Sequence, residues 1–276
     1  MGHRMTLWLL HDHLNGPLEL AEGTEFIGAL RPRRRPDLHA LTPHLYRVTE
    51  SAAGQARVRA EALSRHGMPP TLCALLRADI DPGVLQEQLS RFCLVATPTT
   101  RWVYCRFFDP RVMTHLRWIL TPHQLYSLLG RIARWEFLDS RSQWVSMGNE
   151  PQSVHQLRLM LDEKQQRDLA ALPLLRDCLT QWRAHDPQAP RDDEQAGARV
   201  AEILARARAK GLEDEGDQVA LTLHELLIHP DVIQHPDVAH AVALATEGTS
   251  YRAVTSSWPQ ARWESIQKQL INRETT

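Results

Sequence analysis

The stretch WVYCRFFDPRVMTHLRWIL, residues 102–120, decides the fold class. Its first part, Trp102–Phe108, is apolar, aromatic and β-branched, which favours a central strand with at least one buried face. Asp109 and Pro110 then end the strand and begin a helix, because Asp is a favoured N-cap and Pro at the first helical position gives up an N–H that would be unpaired anyway. Apolar residues follow at helical spacing, so one face of the helix is expected to pack on a sheet. The stretch therefore predicts a buried strand-to-helix junction.

The junction also carries a family resemblance. Arg106–Val112 (RFFDPRV), followed by Leu120–Leu125 (LTPHQL), resembles the core motif of the type VI secretion effector adaptors. These proteins, also called effector chaperones (Tap or Tec), were first catalogued as a domain of unknown function. The resemblance extends weakly from about Leu7 to Trp144. It departs at Leu10–Gly16 (LHDHLNG), where the family has an acidic opening.

The resemblance implies a cytoplasmic adaptor that binds a toxin effector and loads it onto the spike of a type VI secretion system. The spike partner would be VgrG or a proline-alanine-alanine-arginine-repeat (PAAR) tip protein. On this hypothesis the protein is not an enzyme, and we expect no cofactor. The motif residues are then structural, with the apolar ones inside and only Arg111 able to reach a partner: Arg106, Phe107, Phe108, Asp109, Pro110 and Arg111.

Composition excludes several other classes. A chain of 276 residues, 43% hydrophobic, is long enough for one large domain or two smaller ones with real cores. The net charge of -1 argues against general binding to nucleic acid. Residues 1–150 carry +4 and residues 151–276 carry -5, which indicates two differently charged lobes. No apolar run approaches the roughly 18–20 residues that cross a bilayer, so we expect no membrane partner.

The cysteines and the N-terminus favour a reducing compartment. The four cysteines lie in apolar contexts without CxxC spacing, which is typical of small buried hydrophobic residues. Leu7–Leu10 is too short for a cleavable signal sequence, and polar residues follow it at once. We therefore expect a cytoplasmic protein.

Strand and helix patterns alternate through residues 1–150, which predicts an α/β (α+β) lobe with a small mixed sheet. Besides the central strand, strands are predicted at Met5–Leu10, Thr71–Leu76 and Leu94–Thr97, with a closing hairpin over residues 133–146. Helices are predicted at Ala52–Ser64 and after the cap-and-proline pairs that begin at Asp81, Asp109 and Thr121. Four tryptophans are interpreted as core: Trp102, Trp118, Trp135 and Trp144.

Strand signals nearly vanish after a domain boundary predicted at Met147–Pro151. Residues 151–276 are therefore predicted to form an all-helical lobe of about five helices. Pro173 is expected to kink or split a long helix over Leu161–His185.

The densest charge run is Arg31–Pro36 (RPRRRP), and its prolines predict an exposed extended loop. A solvated loop is the simplest interpretation, and a docking patch for an acidic protein surface is the alternative. A nucleic-acid site would need more basic patches and stacking aromatic residues. The candidate partner contacts are therefore Arg33, Arg34, Arg35 and Arg111.

A metal-dependent hydrolase is the second functional hypothesis. His11 and His13 would face the same side of a strand, as a zinc pair requires, but no third ligand lies close in sequence. In the helical lobe a scatter of possible ligands comprises His224, His229, Asp231, His235, Asp237 and His240. The five-residue spacing of His224 and His229 does not match the i, i+4 pairing of a zinc helix, and cap and turn roles explain the scatter more simply. No GxSxG elbow, Walker A loop or dinucleotide fingerprint is present.

Overall fold

The structure is a computed structural model, and it describes residues 5–19, 21–98, 101–148 and 159–274. The chain divides into two compact units, Met1–Arg167 and Asp168–Thr276. The fold class predicted from the sequence is confirmed, because strands and helices make up the first unit and helices alone follow. The predicted boundary between residues 150 and 151 lies outside the described residues and stays a prediction.

The strands of the described residues form two sheets. They are β1 (Thr6–His11), β2 (Thr24–Ala29), β3 (His44–Val48), β4 (Leu72–Ala78), β5 (Leu94–Ala96), β6 (Trp102–Tyr104), β7 (Arg134–Leu138) and β8 (Trp144–Gly148). The larger sheet has the order β2-β3-β1-β4-β7-β8, and β5 pairs with β6 in the smaller one. All these pairs are antiparallel, so the sheet is not mixed as predicted. A single isolated bridge recorded outside them, Ala96 to Met160, is parallel.

Four α-helices accompany the strands, and three of them begin where the cap-and-proline pairs predict. They are α1 (Glu50–Arg65), α2 (Pro82–Phe92), α3 (Pro110–Ile119) and α4 (Pro122–Leu129). The side chains of Asp81, Asp109 and Thr121 each accept a backbone N–H of the first turn. Each proline sits where its missing N–H costs nothing, so local chemistry fixes these helix starts.

The core of the first unit lies on both sides of β1. Leu7–Leu10 are all buried, and since successive side chains of a strand point to opposite faces, both faces of β1 are covered. Helix α1 packs against β1 and β4 through its small residues Ala52, Ala53, Ala56 and Ala60. Small side chains let the helix approach the sheet closely, and the exposed positions of α1 include Val58 as well as polar residues.

The predicted central strand Trp102–Phe108 is wrong. Only β6, Trp102–Tyr104, is extended, and it pairs with β5 outside the six-stranded sheet. Phe107 and Phe108 lie in a turn and are fully buried there. An apolar run reports burial rather than strand pairing, and here the aromatic rings are buried by packing from a turn. The central position belongs to β1 instead.

Seven α-helices follow β8 in the described part of the chain, where about five were expected. They are α5 (Glu163–Ala170), α6 (Leu172–His185), α7 (Asp193–Ala209), α8 (Glu215–Leu227), α9 (Pro236–Thr246), α10 (Tyr251–Ser256) and α11 (Gln260–Glu274). Pro173 lies in the first turn of α6, so the long predicted helix is split as expected. Among the described residues, no helix has the length and apolar character that a bilayer crossing requires.

Candidate functional site

The turn between β6 and α3 is built around a buried carboxylate. Asp109 is 3% exposed and caps α3 by accepting the backbone N–H of Arg111 at 3.0 Å. The Arg111 guanidinium donates to both carboxylate oxygens, from Nε at 2.9 Å and from Nη2 at 2.6 Å. A fork of this kind fixes the position of the carboxylate as well as neutralising it. We call Asp12, Arg106, Asp109 and Arg111 the charged corner.

Asp12 joins the corner from the end of β1, a role that the sequence did not indicate. Its Oδ2 accepts Arg106 Nη2 at 2.5 Å, and the same nitrogen lies 3.6 Å from Asp109 Oδ2. Asp12 also accepts the Leu14 N–H at 3.2 Å and the Asn15 amide at 3.0 Å. Arg106 therefore bridges two buried carboxylates that come from distant parts of the sequence.

The corner keeps Asp109 ionised. Burial alone would raise the pKa of this carboxyl group, but the Arg111 hydrogen bonds and charge, with a contribution from Arg106, hold the pKa below its ordinary value. The same contacts raise the pKa of Arg111. The result is a permanent ion pair with no proton to give or take near neutral pH.

The aromatic residues of the motif face inward. Phe107 and Phe108 pack edge to face at 5.8 Å between ring centroids, and Phe107 lies 5.9 Å from the buried Trp135. The Arg106 guanidinium lies 5.3 Å from the Phe108 ring centroid. Such rings contribute mainly by apolar burial, so this corner supports the unit structurally.

The second half of the motif also has a structural role. Gln124 completes a capping box with Thr121 at the start of α4. Its amide reaches on to Met160 O at 2.7 Å and exchanges hydrogen bonds with Gln165. Gln165 in turn donates to Ile119 O at 3.0 Å. This glutamine pair ties the α3–α4 turn to the segment around Met160.

The arginine run Arg31–Pro36 follows the edge strand β2, and its start is held firmly. The Arg31 N–H donates to Ser90 Oγ at 2.8 Å, and the Leu30 N–H donates to Pro43 O at 3.0 Å. Leu30 is fully buried, whereas the arginine side chains are exposed.

A cleft of about 640 Å³ opens beside this loop, and we call it the arginine cleft. The loop, one face of α2 and residues of β5 and β6 form its walls. The lining residues with a charge or a large aromatic ring are Arg31, Arg33, Arg34, Glu87, Arg91 and Trp102. Trp102 is half-buried here and is not a core residue as predicted, whereas Trp135 is fully buried. A volume of this size lies within the range of ligand-binding pockets.

The four predicted partner contacts are not in one place. Arg33 and Arg34 line the cleft, but Arg35 does not and instead holds the exposed Asp37 with Nη2–Oδ2 at 2.6 Å. Arg111 is engaged by Asp109 in the charged corner. Arg31 and Arg91 join the cleft without having been singled out, because α2 and the loop meet only in the folded unit.

The histidines at the end of β1 make protein contacts. His11 Nε2 lies 2.9 Å from Gly16 O, and burial lowers the pKa of this imidazole. The His13 ring stacks on His44 with 4.3 Å between centroids. Asp12, between them, binds the charged corner. These side chains are thus used in packing and hydrogen bonds.

His224 is half-buried in the helical unit. Its Nδ1 lies 2.8 Å from the Tyr251 hydroxyl, and its ring centroid is 4.2 Å from that of Trp263. Burial lowers the pKa of His224 to about 4, so the ring is neutral at physiological pH.

Two of the other histidines proposed as ligands, His229 and His235, act in a turn and a cap. His229 Nδ1 accepts the Asp231 N–H at 3.2 Å, and His235 Nδ1 accepts the Asp237 N–H at the start of α9 at the same distance. His240 is exposed. Within residues 5–19, 21–98, 101–148 and 159–274, no group of three or more His, Cys, Asp or Glu side chains is arranged to hold a metal ion. The hydrolase hypothesis gains no support from this geometry.

The four cysteines are free and buried. Burial raises the pKa of the Cys105 and Cys178 thiols to about 12. Thiols in this state are poor nucleophiles, which agrees with the interpretation of these residues as small apolar core side chains.

The fold defines the class as an α+β unit followed by a helical unit. Residues 18–127 match the model of one family, described as a domain of unknown function (DUF4123). The match covers less than half of the chain and contains both Arg106–Val112 and the whole arginine cleft, so this part of the chain is similar to that family. No curated protein and no solved structure matches the chain.

Proposed function

We propose that this protein is a cytoplasmic adaptor that binds a toxin effector and loads it onto the spike of a type VI secretion system. The spike partner is VgrG or a PAAR tip protein. The adaptor is not an enzyme and uses no cofactor, and its work is to hold one protein until it is passed to another.

The similarity of residues 18–127 to DUF4123 carries this proposal, because that domain is associated with type VI effector adaptors. The geometry supports it in two ways. The motif residues Arg106–Arg111 are used inside the unit, which suits a scaffold better than a reaction centre. The arginine cleft offers an open surface lined by charged side chains, and a partly polar surface suits a partner that must later be released.

Deletion of the gene in the source bacterium tests the proposal. We expect one effector to disappear from the culture supernatant while other effectors of the same secretion system are still exported. The measurement is quantitative mass spectrometry of supernatants from wild-type, deletion and complemented strains. A strain with an inactive secretion system gives the baseline for leakage.

The adaptor itself should stay in the cell fraction throughout, and complementation should restore the missing effector. Unchanged export of every effector in the deletion strain would contradict the proposal. Loss of all effectors together would also contradict it, because an adaptor serves its own cargo rather than the assembly of the machine.

A further inference from the structure

We propose that the arginine cleft is the site that receives an acidic segment of the protein partner. Aspartate and glutamate side chains of that segment would bind Arg31, Arg34 and Arg91, with Trp102 as the aromatic wall. This inference rests on the proposed function for the identity of the partner as a protein. It names the binding site for that partner and the kind of contact, which is between arginine and carboxylate groups.

The backbone around the cleft is already in position before any partner arrives. The Arg31 N–H is bound to Ser90 on α2, and Gln86 Nε2 of the same helix donates to Ala29 O at 2.7 Å. Thr42 Oγ1 donates to Leu30 O at 2.6 Å from the other side. The loop therefore presents its side chains from a fixed base, which reduces the ordering that binding must supply.

The charge of the cleft is unbalanced. Four arginines line it against one glutamate, and among the described residues only Arg33 has a carboxylate partner, through Nη2 to Glu87 Oε1 at 3.1 Å. That pair is largely exposed and therefore weak, so a partner can displace it. In the described part of the chain, Arg31, Arg34 and Arg91 have no carboxylate partner.

Trp102 positions the Arg34 guanidinium to bind an anion. The guanidinium carbon lies over the Trp102 ring, 4.6 Å from the ring centroid, which is within the range of a cation–π contact. A guanidinium held over a ring can still donate its N–H groups to an anion. A carboxylate matches that fork with two parallel hydrogen bonds.

A protein segment fits this surface better than nucleic acid does. Phosphate-backbone binding uses an extended basic track with several stacking aromatic rings. Here the cleft has one large aromatic residue, Trp102, and acidic Asp37 and Glu87 border the arginines. The whole chain is also slightly acidic at -1.

Fluorescence anisotropy with a short labelled peptide of alternating glutamate and alanine tests the site on the full-length protein. The matched neutral peptide has glutamine in place of each glutamate. We expect the acidic peptide to bind at least about tenfold more tightly than the neutral one. The double variant Arg34→Glu/Arg91→Glu should lose this difference.

Arg131→Glu is the matched control, because Arg131 is exposed, has no carboxylate partner in the described residues and lies outside the cleft. It makes a charge reversal of the same kind and should keep the peptide affinity. Melting temperatures of all variants check folding, and Arg34→Gln/Arg91→Gln replaces the reversal if that variant is unstable. Equal peptide binding by wild type and double variant would overturn the proposal, as would tighter binding of a single-stranded DNA oligonucleotide than of the acidic peptide.

Complementation of the deletion strain separates this inference from the proposed function. Arg131→Glu should restore export of the missing effector, and Arg34→Glu/Arg91→Glu should not. Full restoration by the double variant would reject the cleft as the partner site while the adaptor function stands. If the deletion itself leaves export unchanged, the proposed function is wrong. The peptide measurements then still show whether the cleft binds an acidic segment.

Discussion

Asp109 shows how much one side chain contributes to this fold. The buried Asp109 side chain caps α3 and accepts hydrogen bonds from Nε and Nη2 of Arg111. It also lies close to Arg106. A buried carboxylate is costly unless it is fully paired, and here each of its oxygens has a cationic neighbour. Removing it therefore disturbs more than the helix start.

We expect Asp109→Ala to lower the free energy of unfolding by about 1 kcal/mol for the lost cap. A further loss of about 1–3 kcal/mol follows because the half-buried Arg111 loses its partner. Urea denaturation of the full chain measures the change. Lower soluble yield and weaker holding of the effector should accompany it.

Asp81→Ala is the control, since Asp81 caps α2 by the same device but is exposed and, in the described residues, has no arginine partner. It should cost only about 1 kcal/mol. If both variants cost the same, the arginines add nothing to the corner. If effector holding vanished while the stability of Asp109→Ala stayed unchanged, Asp109 would be a contact residue instead of a structural one.

The corner could be predicted only in part. The pairing of Asp109 with Arg111 follows from local spacing, because an N-cap carboxylate and a residue two positions later are always neighbours. Asp12 could not be found that way, since it lies 94 positions before Arg106 and nothing local marks the contact. The arginine cleft could not be predicted for the same reason, because Arg91 lies on α2 and Arg31 on a loop that is distant in sequence.

At the scale of the element, the end of α4 is tightly constrained. Gly130 has a φ of +53°, and a Cβ there would lie 2.5 Å from Gln88 Nε2. Gln88 is buried and cannot simply move aside, because its Nε2 donates to Leu129 O at 2.8 Å. Glycine is thus required by both the backbone conformation and the packing.

We expect Gly130→Ala to destabilise the protein by about 1–3 kcal/mol through overpacking against Gln88, with backbone strain in addition. Gly54→Ala, in the exposed middle of α1 with nothing within 4 Å of the new Cβ, should instead stabilise by up to about 1 kcal/mol. Thermal unfolding of the two variants compares them directly. A stable Gly130→Ala protein would show that Gln88 can rearrange.

Helix starts were the most predictable elements, and strands were the least. The prolines at positions 82, 110 and 122 fix where helices begin through backbone chemistry alone. The edge strand β2 was missed because Thr24–Ala29 is interrupted by Gly28 and five of its six residues are exposed or only half-buried, so it lacks the apolar pattern of a buried strand. The short helix α10 was missed because six residues are too few to show a helical period.

At the scale of the whole molecule, the two units carry different acid-sensitive groups. The charged corner of the first unit depends on an ionised carboxylate, whose pKa is depressed, and it weakens only as pH falls below the ordinary range of aspartate. The helical unit contains a neutral His224, whose pKa is lowered to about 4 from 6.5. Protonation of His224 therefore favours the unfolded state over a higher pH window.

We expect His224 to leave the free energy of unfolding of the helical unit undiminished above about pH 6.5. That free energy should fall as the pH is lowered towards about 4. His224→Gln removes the titrating group and should flatten that slope, although the lost stacking on Trp263 lowers stability at neutral pH. Urea unfolding followed by tryptophan fluorescence at several pH values measures both slopes. Parallel slopes for the two proteins would show that His224 is not the group responsible.

The position of β1 has a consequence for any fragment cut at the limits of the family similarity. That similarity spans residues 18–127, whereas β1 lies ahead of it at Thr6–His11 and separates β3 from β4 in the sheet. A polypeptide of residues 18–127 would lack β1, β7 and β8, so one edge of β3 and both edges of β4 would have unpaired backbone amides and carbonyls. Such edges invite another strand to pair with them, so the isolated fragment is expected to self-associate rather than fold alone.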